Sequence, residues 1–139
     1  MQNVQILKGK EGIIQAYKRS LEAKEVCTMC LSDGYARVIG NYFDEEYVSE
    51  VFKRAIKMRE LIPDLANNRA YAEKKDAKRH SVRFVPSERA NESDMVLFDD
   101  TVCYISYNPA DPFVIIITDP VLVSQAKFLF ESVWMMGRE

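Results

Sequence analysis

The stretch over residues 94–119, DMVLFDDTVCYISYNPADPFVIIITD, limits what this chain can fold into more than any other. It sets three apolar runs, at 95–98, 102–105 and 113–117, between turn residues, and each run is rich in β-branched or aromatic side chains. That pattern predicts a β-meander. Asp99-Asp100 makes the first tight turn. Asn108-Pro109 and Asp111-Pro112 make the second, because Asn and Asp bond back to their own backbone and proline fixes φ. The run 113–117 lacks polar alternation, which predicts a strand covered on both faces, at the centre of the sheet.

With 139 residues, 47% of them hydrophobic, and only 5 Gly and 5 Pro, the chain has apolar material for one core and no room for a second. A single domain over 1–139 is expected. The formal net charge of -2 gives no global positive field toward nucleic acid or an anionic membrane. Three cysteines, an odd number, accompany no signal-peptide pattern and no apolar run of membrane-spanning length. The expected setting is cytoplasmic and reducing.

In chain order, 4–7 reads as a short strand. Ile13, Ile14, Tyr17 and Leu21 recur at helical spacing over 10–23, and 26–31 reads as a buried strand broken by Ser32-Asp33-Gly34. Residues 35–42 fit a loop or a short helix. A helix is predicted from Asp44 as N-cap, with Glu45 and Glu46 in its first turn and Tyr47, Val48, Val51, Phe52, Ala55 and Ile56 on its apolar face. Then come a strand at 58–62 stopped by Pro63-Asp64, a peripheral helix at 66–78, a strand at 82–85 and a polar loop at 87–93.

The last helix opens with Asp119 as N-cap and Pro120 at its first position. Its apolar arc, from Leu122 to Met136, is wider than one sheet contact requires. Two readings fit: a helix deeply buried in its own domain, or an arc partly given to a homodimer interface, with Leu122, Phe130 and Trp134 as candidates.

Strands alternating with helices and ending in a meander and a helix predict an α/β fold. Its mixed sheet, parallel in its first half and antiparallel at the meander, carries helices on both faces. The segments VQILKGKEGIIQAYKRSLEAKEV, FDEEYVSEVFKRAIKMRELIPD, VRFVP, DMVLFDDTVCYIS and PFVIIITDPVLVSQAKFLFESVWM resemble, nearly end to end, the phospholipase-D-like regulatory domain of TrmB-family transcriptional regulators. The resemblance implies a phospholipase-D-like fold and a dimer-forming regulatory domain. Contact with DNA is expected only through a separate winged helix-turn-helix, absent from this chain. It also allows a small-molecule effector, whose identity does not carry over.

Enzymes of the phospholipase D type use a nucleophilic His, a phosphate-holding Lys and an Asp, spaced His-x-Lys-x-x-x-x-Asp. The positions with that spacing here are Glu92, Asp94 and Asp99, and Ser106 and Asn108 echo the later Ser-x-Asn. A carboxylate neither forms a phosphohistidine nor attracts phosphate, so no catalytic residue is assigned. These five residues are instead candidates for lining an effector pocket. His80, the one histidine, lacks the Lys two positions later and reads as a polar residue at a strand edge. Cys27 and Cys30 have zinc-knuckle spacing, but an odd offset within a strand points them to opposite faces, so no metal or cofactor is expected. The basic run Arg69, Lys74, Lys75, Lys78, Arg79 and Arg83 is interrupted by Glu73 and Asp76 and reads as a solvated face. The expected function is a non-catalytic, effector-sensing and dimerising domain of a TrmB-like regulator. The alternative is a phosphodiesterase with displaced catalytic residues, which requires His80 in a cleft beside Asp94 and Asp99.

Overall fold

The computed structural model describes residues 3–139; the first two positions of the expected 1–139 domain lie outside the described residues. Seven strands form one sheet: β1 (Val4–Lys8), β2 (Glu25–Cys30), β3 (Lys57–Pro63), β4 (His80–Val85), β5 (Ser93–Phe98), β6 (Thr101–Ser106) and β7 (Phe113–Ile117). Their spatial order is β1-β7-β6-β5-β2-β3-β4. The pairs β2–β3 and β3–β4 are parallel and every other pair is antiparallel, so β1 to β4 all run the same way although β1 sits at the far edge.

That ordering decides where the helices lie. The connections β1 to β2, β2 to β3 and β3 to β4 all step across the sheet in one direction, and right-handed crossovers then put their helices on one face. They are α1 (Gly9–Ser20), α2 (Ala36–Ile39), α3 (Val48–Lys53) and α4 (Ala66–Glu73). The other face receives only α5 (Pro120–Met136). Ile13, Tyr17, Ile39, Phe43, Tyr47 and Val51 pack on Val26, Met58, Val96, Ile105, Val114 and Ile116 in the larger core. Val123, Ala126 and Phe130 of α5 cover Cys27, Leu61, Met95, Leu97 and Val102 on the opposite side.

Two glycines set the first turn. Gly9 takes φ 70 directly after β1, and a Cβ on Gly12 would come within 2.8 Å of Leu7. A side chain there would push α1 off the strand.

Several sequence expectations are corrected. β7 is not the centre of the sheet; it is next to the edge, and Phe113, Ile115 and Ile117 on its second face are only half-buried. Its unbroken apolar run reflects a partly covered face: Ile117 packs at the margin of the α5 core, and Phe113 and Ile115 lie outside it. The helix expected from Asp44 begins earlier, as a π-helical turn over Tyr42–Tyr47 that continues into α3. Asp44 therefore does not cap; its carboxylate accepts from the Tyr35 hydroxyl at 2.9 Å. α3 stops at Lys53, and Ala55 adopts φ 56 beyond it. The helix expected over 66–78 ends at Glu73, and β4 starts at His80, two residues before the expected strand.

The start of α5 follows the sequence, with the Asp119 carboxylate accepting from the Leu122 amide at 3.0 Å. Phe84 and Arg138 exchange backbone hydrogen bonds of 2.7 and 2.9 Å, laying the end of the chain against the outer side of β4. No helix among the described residues is long and apolar enough to cross a membrane.

Candidate functional site

At the C-terminal ends of β2 and β3, a cleft of about 480 Å³ opens between the sheet, α4 and the loop after β2. Here β2 borders a parallel neighbour on one side and an antiparallel one on the other, and α/β sheets commonly bind ligands beyond their strand ends. Two buried acids, Asp94 and Glu60, lie in it, 4% and 1% exposed. Glu60 sits level with Thr28 on β2, and Asp94 with Cys30. The two acids are thus two strand spacings apart, with α-carbons about 12 Å from each other.

Glu60 is fully engaged. Its Oε2 accepts from the Tyr71 hydroxyl at 2.6 Å and lies 2.8 Å from His80 Nε2, while Thr28 Oγ1 reaches Oε1 at 3.4 Å. Asp94 is less well served. Oδ1 accepts from the Ser32 amide and Oδ2 from the Tyr17 hydroxyl, both at 3.2 Å. A carboxylate has about four acceptor positions, so lone pairs remain.

Burial drives the Asp94 carboxyl up from the ordinary 3.8 to about 7, against the lowering effect of Ser32, Tyr107, Tyr17 and Cys30. Burial likewise holds Tyr17, Tyr107 and Cys30 protonated, and of the three only the Tyr17 hydroxyl is within hydrogen-bond distance of Asp94. The Tyr107 hydroxyl is buried without a hydrogen-bond partner of its own.

A raised value in the folded state means that the folded protein holds a proton the unfolded chain releases. Stability then falls as pH rises from about 4 to about 7, by up to about 1.4 kcal/mol per pH unit. The penalty is complete above the folded value and absent below the ordinary one. Asp94→Asn is expected to flatten this dependence and to gain on the parent most at pH 8. Urea titrations of both proteins across that range check it; parallel pH profiles would refute it.

Of the five sequence candidates, Asp94 alone lines the cleft. Glu92 is exposed and pairs loosely with Arg37 at 3.7 Å. Asp99 lies in the β5–β6 turn at φ 48, about 17 Å along the strand from Asp94. Ser106 ends β6 opposite Ser93, and the exposed Asn108 caps its own loop by accepting from the Ala110 amide. His80 is on an edge strand as expected, but it is buried against Glu60. Three strand spacings and four residues along the strands, about 19 Å in all, separate it from Asp94, so the arrangement required by the displaced-catalysis alternative is not formed. Cys27 and Cys30 belong to cores on opposite faces, and no group of three His, Cys, Asp or Glu side chains among the described residues is placed to hold a metal ion.

The interface candidates divide as well. Phe130 is fully buried within the protomer, which removes it from any surface. Trp134 stacks on Phe130 and carries Arg59 and Arg83 over its ring at 5.3 and 4.6 Å. Leu122 is exposed.

No family model and no curated protein matches the chain. Solved structures do. NucT from Helicobacter pylori superposes with a TM-score of 0.68 at 11% identity, covering 97% of each chain. Nuc from Salmonella typhimurium, a phospholipase D family member, gives 0.62 at 16% identity over 97% of this chain and 95% of that one. The chain has the phospholipase-D-like fold. TrmBL2, an archaeal chromatin protein whose structure shows a novel mode of DNA binding, shares it at a TM-score of 0.69 and 19% identity over 99% of this chain. This chain spans about half of TrmBL2, 54% of its length.

Proposed function

We propose that the chain is the effector-sensing and dimerising domain of a TrmB-like transcriptional regulator and does no phosphodiester chemistry of its own. The observation that carries this reading is the cleft floor. Where phosphodiesterase chemistry needs a nucleophile and a cation, the chain offers two buried carboxyls, Asp94 and Glu60, which repel phosphate. His80, the remaining nucleophile candidate, is committed to Glu60.

The dimer half of the reading rests on a different surface. Val4 and Ile6 of β1, Ile115 of β7 and Tyr104 of β6 share one side of the sheet by register, outside the core that α5 covers. Beside them, α5 exposes Leu122, Phe128 and Leu129. An open sheet face next to an overexposed helix is self-complementary under a two-fold, each helix covering the other copy's strands.

One preparation tests both halves. Light scattering over a dilution series is expected to give a dimer, and Ile6→Glu, at a position 56% exposed in the protomer, a folded monomer. The parent is expected to show no hydrolysis of bis(p-nitrophenyl) phosphate. Turnover that disappears in His80→Asn would overturn the non-catalytic reading, and a monomeric parent would overturn the dimer.

A further inference from the structure

The chemistry of the cleft changes from its floor to its mouth. At the floor, Asp94 retains unused acceptor positions, and the unpartnered Tyr107 hydroxyl faces the same carboxyl. The walls are Tyr35, Phe43, Ile62 and Tyr71. At the mouth stand Lys74, Lys75 and the side-chain amides of Asn67 and Asn68, supplied by α4 or the turn after it, and on the opposite rim the Asp44 carboxylate, which accepts from the Tyr35 hydroxyl. Lys75 Nζ sits 4.5 Å over the Tyr71 ring, which holds its charge at the rim.

A ligand satisfying both ends carries a positive group inward and a negative group outward, with an apolar body between. An inorganic anion meets carboxyls at the floor, and a simple amine brings the two lysines no counter-charge beyond the single Asp44 carboxylate at the rim. A neutral polyol uses neither.

We propose that this cleft binds a small zwitterion, an α-amino acid with an apolar or aromatic side chain. Its ammonium rests on Asp94 and its carboxylate is held by Lys74 and Lys75. The inference rests on the effector-sensing reading above and gives that effector a chemical class. The acid at the floor is tuned to match: its proton is weakly held near neutral pH, and an arriving ammonium stabilises the ionised form.

The test is thermal shift followed by calorimetry on the whole chain, with proteinogenic amino acids supplied singly up to about 10 mM. L-phenylalanine is accompanied by phenethylamine, which lacks the carboxylate, and by 3-phenylpropionate, which lacks the ammonium. Glucose, maltose and inorganic phosphate complete the panel. An apolar or aromatic amino acid is expected to raise the melting temperature, with each truncated analogue at least about tenfold weaker.

Asp94→Asn is expected to weaken the amino acid about tenfold or more and to leave 3-phenylpropionate unchanged. The double variant Lys74→Gln, Lys75→Gln lies on the surface and spares the fold. It is expected to weaken the amino acid and leave phenethylamine unchanged. If no amino acid binds, or if binding ignores Asp94→Asn, the proposal is wrong. Binding of a sugar in this cleft would overturn the ligand class and leave the sensing role standing. Phosphodiester turnover would overturn the sensing role itself.

Discussion

Glu60→Ala is expected to lower the unfolding free energy by about 3–5 kcal/mol, because it strands several buried partners at once. The Tyr71 hydroxyl and His80 Nε2 both converge on Oε2, and Thr28 lies against Oε1. Thr28 and His80 gain no water when the carboxylate is removed, since Thr28 is fully buried and His80 nearly so, and only Tyr71, half-buried at the cleft wall, has water within reach. Glu60→Gln keeps an acceptor for one of the two close donors and is expected to lose less. Urea unfolding of the three proteins decides the matter: a loss below about 1 kcal/mol for the alanine variant would mean the network is not held together by its acid. The effect is expected to spread to the cleft, because Tyr71 forms one of its walls and is fixed through Glu60.

Phe130→Ala is the second large loss, also about 3–5 kcal/mol, for a different reason. Phe130 is fully buried where α5 meets the sheet, and α5 alone covers that face. No neighbouring helix is at hand to collapse into the space, so a cavity remains. The substitution also removes the ring on which Trp134 stacks, with centroids 5.9 Å apart. Trp134 is the one tryptophan of the chain, so its fluorescence reports the change directly. A shift of emission toward longer wavelength is expected to accompany the fall in stability. An unshifted spectrum with a stability loss would place the indole under the control of Arg59 and Arg83 rather than of the stack.

Local signals in the sequence carried a good part of this fold. The meander, the Asp119-Pro120 helix start, the α/β alternation and the odd offset of Cys27 and Cys30 each depend on neighbours a few residues away, and each appears in the structure. Strand order does not depend on neighbours. The run FVIII looks central by composition, yet it lies beside the edge because β1 returns to pair with it, a partnership more than a hundred residues apart in sequence. The uneven coverage of the two faces has the same origin.

The candidate site was legible only at Asp94. Glu60 carried a readable signal, a lone acid inside the otherwise apolar end of MRELIP, where a covered parallel strand has no use for a charge unless partners await it. Those partners, Tyr71 and His80, come from α4 and β4, and no spacing rule connects them to Glu60.

The backbone exchange between Phe84 and Arg138 makes the two margins of the sheet unlike. On the β4 side the amides and carbonyls near Phe84 are already spoken for, while β1 presents its outer rim along Val4–Lys8. Any strand that joins this sheet from outside, whether from a misfolded copy or a fused peptide, has its easier seat at β1, with the exposed charge of Lys8 as a brake at one end. Removing Arg138 from its place beside Phe84 would erase that asymmetry and open a second margin, so the segment after Met136 is not a neutral place to edit this molecule.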